Sequence, residues 1–316
     1  MRVLRTIREV RDWRSAVRGS VGLVPTMGAL HAGHRSLLER ARKDCDVVAS
    51  TIFVNPTQFA PGEDLDRYPR TWDRDLETMD GLVDAVFAPA VDELYQRRRR
   101  AEDEDEGFSS SDFSSSGFFS VTPPATFARL PEAAARPGHF SGVATVCAKL
   151  FHIVTPTAAY FGQKDALQCV ALRRLVADLN FDLDIRVCPT ARDHDGLALS
   201  SRNAYLDERA RRAAPVVFRS LRAARDLWKS GGGGAVTNPA VALGRDALVG
   251  VIREVLASEP LVDAVEYISV ADYDTMVELS EAVPPYDPHR TSPAAILSVA
   301  VRLAGVRLID NLPLLF

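Results

Sequence analysis

Pro25-Thr26-Met27-Gly28-Ala29-Leu30-His31-Ala32-Gly33-His34 connects an apolar run, Val21–Val24, to a helical pattern that begins near Ser36. The order of these segments predicts a strand, a tight turn and the first turn of a helix. Gly28 and Gly33 allow the backbone to turn sharply and to approach a ligand closely. Because the first turn of a helix presents free N–H groups and a positive dipole end, the segment predicts a phosphate site.

His31 and His34 are three positions apart in this segment, so both side chains can face the same ligand. A pair of histidines at this spacing is most often structural or part of a metal site. Zinc is not favoured, because no cluster of Cys or His stands nearby to complete four ligands. Two imidazoles beside a phosphate favour chemistry on the phosphoryl groups of a nucleotide over its storage.

The composition is that of a soluble globular protein. Its 316 residues are enough for two domains and a sizeable core. Of these residues, 47% are hydrophobic and 25% are charged, as is usual for such proteins. A net charge of −4 argues against coating nucleic acid, and no apolar run reaches the roughly 18–20 residues that span a membrane. Four widely spaced cysteines indicate buried thiols in a reducing compartment: Cys45, Cys147, Cys169 and Cys188. We therefore expect a cytoplasmic protein without a nucleic-acid or membrane partner.

The N-terminus carries an arginine at every third position, namely Arg2, Arg5, Arg8, Arg11 and Arg14. A transit peptide is one interpretation of this pattern, but Glu9 and Asp12 interrupt it and such peptides are poor in acidic residues. We favour the exposed face of a short folded helix, and expect the first strand to begin near residue 21.

The first half of the chain alternates strand and helix patterns, which predicts an α/β fold with a doubly wound parallel sheet. The predicted strands are Gly22–Thr26, Val47–Val54, Ala85–Ala88, Ala158–Phe161 and Leu183–Val187. Helical patterns lie at about 34–43, 73–80, 141–153 and 165–179. Ligands of such sheets bind beyond the carboxyl ends of the strands, which is where the two histidines fall.

The pattern changes after Asn203. Two helices are predicted at 207–229 and 239–257, followed by the strands Val265–Val270, Ile296–Val301 and Val306–Ile309. Helices followed by strands indicate a smaller, separate α+β domain. We therefore predict a nucleotide-binding domain at 1–189 and a C-terminal lid domain at 190–316.

One segment of the first domain does not fit a packed fold. Arg97–Arg100 precede the acidic run Glu102–Glu106 and a serine-rich stretch at 109–120. Charge blocks and low-complexity serine cannot bury enough apolar surface to offset the cost of ordering. We interpret about 97–121 as a disordered insertion.

Further polar side chains follow the other predicted strands. Lys164, in Phe161–Asp165, places an ammonium group where a strand meets a helix, which suits a phosphate. Ser200, Ser201 and Arg202 supply hydroxyls and a guanidinium that suit a di- or triphosphate. Four further side chains suit a small organic acid: Asn55, Gln58, Arg136 and Gln168.

Together these motifs resemble those of the pantothenate synthetase (pantoate–β-alanine ligase) family. The resemblance runs in order through Pro25–His34, Ile52–Phe59, Tyr68–Arg70, Arg136–Phe140, Phe161–Asp165, Gly196–Asn203 and Leu308–Asn311. The turn with two histidines also resembles the HIGH motif of a wider nucleotidyltransferase superfamily. The resemblance implies a Rossmann-like first domain, a homodimer, and two reaction steps. Pantoate attacks the α-phosphorus of ATP to give pantoyl adenylate and pyrophosphate, and β-alanine then displaces AMP.

The resemblance also implies roles for individual residues. It assigns ATP binding to Met27, Gly28, Ala29, Leu30, His31, Ala32, Gly33, His34, Gly162, Gln163, Lys164, Asp165, Ala191, Leu199, Ser200, Ser201 and Arg202. It assigns catalysis to His31, His34, Lys164 and Arg202, with His34 as the proton donor. It places pantoate on Gln58 and Gln168, with Asn55 and Arg136 near the pocket, and it implies Mg²⁺ on the ATP phosphates without a direct protein site.

The sequence departs from the family pattern at two places. Pro131-Glu132-Ala133 stands where the family has Leu-Glu-Gly, and Gln163 replaces a glutamate. Two other functions remain open from the residues alone. One is a different adenylyltransferase of the superfamily, and the other is an inactive regulator that only binds nucleotide.

Overall fold

The computed structural model describes residues 1–60, 62–95, 118–230, 243–280, 282–283, 293 and 295–314. Its strands are β1 Arg2–Leu4, β2 Val21–Val24, β3 Val47–Thr51, β4 Ala85–Phe87, β5 Ala158–Gly162, β6 Asp184–Cys188, β7 Leu243–Gly244, β8 Val262–Ala271, β9 Ala282–Val283, β10 Ile296–Leu303 and β11 Val306–Pro313. Its α-helices are α1 Ile7–Ala16, α2 Ala32–Asp44, α3 Trp72–Met79, α4 Val91–Leu94, α5 Pro131–Ala135, α6 His139–Val154, α7 Ala166–Asp178, α8 Glu208–Ala213, α9 Val216–Lys229 and α10 Arg245–Ala257. Short 3-10 turns lie at Pro56–Gln58, Phe127–Arg129 and Ser201–Tyr205.

The first six strands form one parallel sheet in the order β1-β4-β3-β2-β5-β6. From β2 the chain builds outward through β3 and β4, and then resumes on the other side of β2 with β5 and β6. The strand order therefore reverses between β2 and β5, and ligands of doubly wound sheets bind at such a reversal, beyond the carboxyl ends of the strands. The predicted α/β fold class is confirmed.

The edge strand β1 was not expected, since the first strand was predicted near residue 21. Val3 pairs in parallel with Val86 of β4, so the sheet gains an edge before α1 begins. Helix α1 follows the predicted arginine pattern: Arg8 and Arg11 are exposed, whereas Val10 and Trp13 are buried. A strand as short as β1 has too few residues to show a strand period in the sequence.

Two other predicted elements differ from the structure. The helix predicted at 207–229 is two helices, α8 and α9, separated at Ala214 and Pro215. Proline lacks an N–H and its ring clashes with the preceding turn, so the first helix cannot continue through it. All four cysteines are free thiols, but Cys45 is half-buried where we expected it to be buried. Among the described helices, none has the length and apolar content needed to cross a bilayer.

By proximity of its Cα atoms the chain divides into two compact units. The first comprises 1–128, 136–162 and 171–189, and the second comprises 129–135, 163–170 and 190–316. The second unit therefore takes two short segments from within the predicted range 1–189. The division into domains at 189/190 stays a prediction. Of the insertion predicted at about 97–121, residues 97–117 lie outside the described residues. At its end, the Val121 N–H donates to Thr145 Oγ1 at 3.0 Å.

Each unit has its own apolar core. In the first, Leu38 of α2 and Met79 of α3 are fully buried with Tyr160 of β5 and other sheet residues. In the second, the antiparallel sheet β11-β10-β8 packs with α9 and α10, where Trp228 and Ile252 are buried. This is the α+β architecture predicted for the C-terminal part.

Within the first unit, α6 approaches the 3-10 turn at Pro56–Gln58 so closely that only glycine fits. A Cβ built on Gly142 would lie 2.2 Å from the Thr57 carbonyl oxygen and 2.5 Å from its carbonyl carbon. Backbone atoms cannot move aside as a flexible side chain can. The closeness of this helix therefore fixes the position of the turn that follows β3.

Gly142→Ala should lower the free energy of unfolding by about 1–3 kcal/mol or more, since overpacking a rigid contact costs that much. Gly250→Ala is the matched control: Gly250 lies in the helix α10, and its added Cβ would meet nothing within 4 Å. That exchange should raise the stability by about 0.5–1 kcal/mol. Chemical denaturation of both variants measures the two effects, and equal stabilities would show that α6 and the turn are not in tight contact.

Candidate active site

The turn after β2 is held by a buried carboxylate from α3. Asp75 accepts the backbone N–H of Ala29 at 3.0 Å through Oδ2 and that of Leu30 at 2.7 Å through Oδ1. Thr71 Oγ1 donates to the same Oδ1 at 3.0 Å. Asp75 is 1% exposed, so its charge is balanced by these three donors rather than by water.

The backbone of this turn is left-handed at two consecutive residues. Gly28 has φ +86°, and Ala29, which carries a Cβ, has φ +53°. A Cβ on Gly28 would lie 3.0 Å from Asp75 Oδ2 and 3.2 Å from Ile52 Cγ2. Glycine is therefore required at position 28 by the conformation and by the close carboxylate. The N–H groups of Ala29 and Leu30 turn toward Asp75 as a result.

The two histidines cap the helix that the turn leads into. His31 is the N-cap residue of α2, and its Nδ1 accepts the Gly33 N–H at 3.1 Å. The Nδ1 of His34 accepts the His31 N–H at 3.4 Å, and the ring centroids lie 4.1 Å apart. In a neutral imidazole whose Nδ1 accepts, the proton is on Nε2. Both rings are therefore set up to act as donors through Nε2.

The turn after β3 organises the side chain of Gln58 through Asn55. Asn55 Nδ2 donates to Gln58 Oε1 at 2.9 Å and to the Gly142 carbonyl at 3.3 Å. Its Oδ1 accepts from Thr57 Oγ1 at 3.0 Å and from Tyr95 Oη at 2.8 Å. Burial raises the pKa of Tyr95 to about 12, so its hydroxyl stays a neutral donor. Because the amide oxygen of Gln58 accepts from Asn55, its NH₂ group is the part of the side chain that could donate to a further group.

Arg136, which lies just before α6, and His139, the first residue of α6, support the same turn. Arg136 Nη2 lies 2.9 Å from Glu63 Oε2, and its Nη1 lies 2.9 Å from His139 Nε2. Since a guanidinium can only donate, His139 Nε2 accepts and Nδ1 carries the proton. That proton is donated to the Gln58 carbonyl at 2.8 Å. The guanidinium thus acts on the turn through the imidazole of His139, and its Nη2 also lies 3.5 Å from the Gln58 carbonyl oxygen.

In the second unit, the segment after β5 is bound to β11. Asn311 Nδ2 donates to the carbonyl oxygens of Gln163 at 2.9 Å and of Lys164 at 2.8 Å. Tyr273 Oη donates to Gln163 Oε1 at 3.2 Å. The Lys164 side chain is 17% exposed and its Nζ lies 3.8 Å from Asp165 Oδ1. Gln168 is half-buried in the first turn of α7.

The segment from Ala191 to Arg202 folds back on itself within this unit. The Leu199 N–H donates to the Ala191 carbonyl at 3.0 Å, and Arg192 pairs antiparallel with Ala198. Ser200 caps the following 3-10 turn by accepting the Arg202 N–H at 3.3 Å. Ala191 and Leu199, which the family resemblance assigns to ATP binding, and the Ser-Ser-Arg motif are thus parts of one folded hairpin at 191–202.

Two arginines tie this hairpin down. Arg192 donates to both carboxylate oxygens of Asp310, at 2.6 and 2.9 Å, and lies 3.9 Å over the Phe218 ring. Burial raises the pKa of Asp310, while the Arg192 guanidinium favours its charged form. Arg211 donates to Asp193 and Asp195, each at 2.5 Å. Hydrogen bonds from His194, together with Arg211, hold the pKa of Asp193 well below its usual range.

The sequence-predicted residues thus fall into two constellations, one in each unit. The first unit contains His31, His34, Asn55, Gln58 and Arg136, at or beside the turns after β2 and β3. The second unit contains Lys164, Gln168 and the hairpin with Ala191 and Arg202. Asn55 and Arg136 are engaged by protein groups, so their predicted contact with a substrate stays a prediction.

The structure adds supporting residues whose contacts the sequence analysis did not predict, namely Glu63, Asp75, Tyr95, His139, Arg192, Asp310, Asn311 and Tyr273. A sequence signal existed for some of them. His139 stands in the Arg136–Phe140 motif, and Asp310 and Asn311 stand in Leu308–Asn311, although neither motif suggested a partner. Among the described residues, no group of three or more His, Cys, Asp or Glu side chains could hold a metal ion.

The family model, the curated relatives and the solved structures that are similar to this chain all point to the same family. The model of the family described as pantoate-beta-alanine ligase matches residues 2–313. A pantothenate synthetase from Roseiflexus castenholzii is 47% identical over 312 residues, covering 98% of each chain. A crystal structure of pantothenate synthetase from Thermus thermophilus covers 99% of both chains, with 39% identity and a TM-score of 0.81. That of a pantoate-beta-alanine ligase from Francisella tularensis, complexed with beta-gamma ATP and beta-alanine, covers 99% and 98%, with 29% identity and a TM-score of 0.71.

Asp75→Asn should weaken the turn after β2, because an amide NH₂ would face one of the backbone N–H groups that the carboxylate accepts. We expect a loss of about 1–3 kcal/mol in the free energy of unfolding, the usual cost of an unsatisfied buried group. The affinity for ATP should fall as well. Asp73→Asn is the control, since Asp73 lies in the same first turn of α3 but is exposed. If both variants behave alike in denaturation and in ATP titration, Asp75 does not hold the turn.

Proposed function

The chain belongs to the pantoate–β-alanine ligase family, and from this membership we propose how its residues perform the ligase reaction. The enzyme condenses pantoate with β-alanine and consumes ATP. The pantoate carboxylate attacks the α-phosphorus, and pyrophosphate leaves. The amine of β-alanine then attacks the acyl carbon of pantoyl adenylate, AMP leaves, and the amide of pantothenate forms.

We propose that the turn after β2 binds the ATP phosphates. Residues 27–34 bring the N-terminus of α2 to the carboxyl end of β2, which is a site for anions in doubly wound folds. His31 and His34 donate from Nε2 to phosphate oxygens, since Nδ1 of each is occupied by the helix cap. Donors fixed in advance stabilise the charge that develops on the departing pyrophosphate without reorganising.

For the second unit, we propose that Lys164 and Arg202 neutralise phosphate charge. Gly162, Gln163 and Asp165 flank Lys164 at the carboxyl end of β5, and the backbone of this segment contributes to nucleotide binding. The hairpin adds Ser200 and Ser201 as hydroxyl donors. Ala191, whose carbonyl accepts the Leu199 N–H, contacts adenine through its backbone, and Leu199 also belongs to the ATP site.

We propose that two glutamines hold pantoate. Gln58 presents its NH₂ group because Asn55 occupies its oxygen, so it can donate to a carboxylate or hydroxyl of the substrate. Gln168, half-buried in α7, supplies a second amide. Asn55 and Arg136 serve this binding by holding the Pro56–Gln58 turn, the arginine through His139.

The metal and the assembly are further proposals. Mg²⁺ would enter on the triphosphate of ATP and neutralise part of its charge. Because His31, His34, Lys164 and Arg202 are donors or cations, they suit the phosphate oxygens rather than the metal. We also propose that the enzyme is a homodimer and works in the cytoplasm, on the strength of the family resemblance.

A single assay tests the reaction against the two alternatives. The ligase should release pyrophosphate only when pantoate is added to ATP, and should release AMP at turnover only when β-alanine is present as well. Pyrophosphate release with a different acid, but not with pantoate, would identify another adenylyltransferase. Nucleotide binding without any pyrophosphate release would identify an inactive regulator.

The imidazole geometry predicts a difference between two substitutions of His34. A glutamine places its amide nitrogen near the position of Nε2, whereas an asparagine places its amide near Nδ1. His34→Asn should therefore slow single-turnover pyrophosphate release by about 10²–10³-fold, as does the loss of one preorganised donor. His34→Gln should retain more of the rate.

His152→Gln is the control for these variants, because His152 is an exposed residue near the end of α6 and should leave the rate unchanged. Circular dichroism would establish that α2 persists in each protein. A folded His34→Asn enzyme that matches or exceeds His34→Gln would contradict donation from Nε2.

A further inference from the structure

The motif Leu308–Asn311 stood out in the sequence, but the reaction gives it no role. In the structure its last two residues are buried and polar: Asp310 is 3% and Asn311 is 2% exposed. A buried amide is costly unless its donors and acceptor are used. Asn311 uses both of its side-chain N–H donors on one short segment of backbone.

That segment is the one that carries Lys164. The carbonyl oxygens of Gln163 and Lys164 accept the two Nδ2 protons at 2.9 and 2.8 Å. Two consecutive peptide planes are thereby fixed by a single side chain, and these planes set the direction in which the Lys164 side chain leaves the backbone. On the side of the amide oxygen, Asn311 Oδ1 lies 3.4 Å from Gln163 Nε2.

Asn311 is itself held in place. Its N–H donates to Asp310 Oδ1 at 2.8 Å, and its carbonyl accepts from Arg192 Nη2 at 3.2 Å. Arg192 also binds Asp310 through both carboxylate oxygens and donates to the Gly196 carbonyl at 3.1 Å. Residues 310 and 311 of β11 therefore hold two segments. Asn311 fixes the Lys164 segment, and Asp310 fixes the hairpin at 191–202 through Arg192.

We propose that Asn311 is a positioning residue for adenylate formation, which acts by orienting Lys164. This inference rests on the role proposed above for Lys164. Asn311 does not touch the substrate. It fixes the direction of the Lys164 side chain in advance. Without Asn311 the ammonium group is still present, but it is no longer held in the direction of the phosphate.

The test is a double-mutant cycle on the first half-reaction. Asn311→Ala should slow pantoate-dependent pyrophosphate release by about 10–100-fold, since a misplacement of about 1 Å by a remote change can cost 10²-fold. Lys164→Ala should slow it at least as much. If Asn311 acts through Lys164, adding Asn311→Ala to the Lys164→Ala enzyme should cause less than about a twofold further loss, because coupled residues are not additive.

Ser298→Ala is the matched structural control. Ser298 lies opposite Asn311 in the register of β10 with β11, is 4% exposed, and its Oγ has no hydrogen-bond partner among the described residues. This variant should keep the wild-type rate. Where Asn311→Ala proves too unstable to assay, Asn311→Ser retains one donor and should give an intermediate rate in the same cycle.

The outcomes separate the two claims. A Lys164→Ala enzyme with an unchanged rate of pyrophosphate release would overturn the proposed role of Lys164 and the inference that rests on it. A slow Lys164→Ala enzyme together with a wild-type rate in folded Asn311→Ala would overturn the inference alone. Losses that multiply in the double variant would do the same, since Asn311 would then act on catalysis independently of Lys164.

Discussion

The acceptance of two consecutive backbone N–H groups by the carboxylate of Asp75 is the interaction on which the turn after β2 depends. A turn with positive φ at two adjacent residues is strained unless its surroundings determine it. The Asp75 carboxylate, on α3, holds the turn in this conformation by accepting its two N–H groups. Thr71 Oγ1 donates a third hydrogen bond to the same carboxylate. With the turn fixed, α2 begins at Ala32 and the imidazoles take up their capping positions.

A common principle links the two constellations. In each, the residues proposed to meet substrate are held by a second layer of polar groups whose own bonds are satisfied. Asn55 and His139 do this for Gln58, and Asn311 does it for Lys164. Such groups are costly to bury singly, but a fully bonded network is rigid. A rigid site can stabilise a developing charge without first rearranging its own dipoles.

The sequence predicted those features whose signal is local. The turn with His31 and His34 was found because glycines, a strand and a helix start follow one another directly in the chain. The supporting contacts were not found, because each joins distant positions through an ordinary residue type. Asp75 lies 45 positions from Leu30, and Asn311 lies 147 positions from Lys164. An aspartate in the first turn of a helix is typical of a residue that caps the helix or interacts favourably with its dipole. Nothing in the neighbouring sequence indicates that Asp75 binds the backbone of a distant turn.

Other differences also have physical causes. The strand β1 is too short to show a period, and the break between α8 and α9 depends on a proline inside an otherwise good helical pattern. Arg136 of the Arg136–Phe140 motif suggests a cation that binds a ligand, yet its charge is paired with the Glu63 carboxylate. Sequence patterns indicate which side chains are available, whereas the fold decides which of them are already engaged.

The tie between Asn311 and the Lys164 segment has a consequence for biosynthesis. A ribosome delivers the chain from its N-terminus, so β5 and the Lys164 segment emerge well before β11. Throughout that interval the carbonyl oxygens of Gln163 and Lys164 lack the amide that later fixes them. The parallel sheet can pair its strands early, but in a nascent chain the Lys164 segment gains its bonds from Asn311 only after β11 has been synthesised. On the role proposed for Lys164, a chain that still lacks β11 would not be competent to consume ATP.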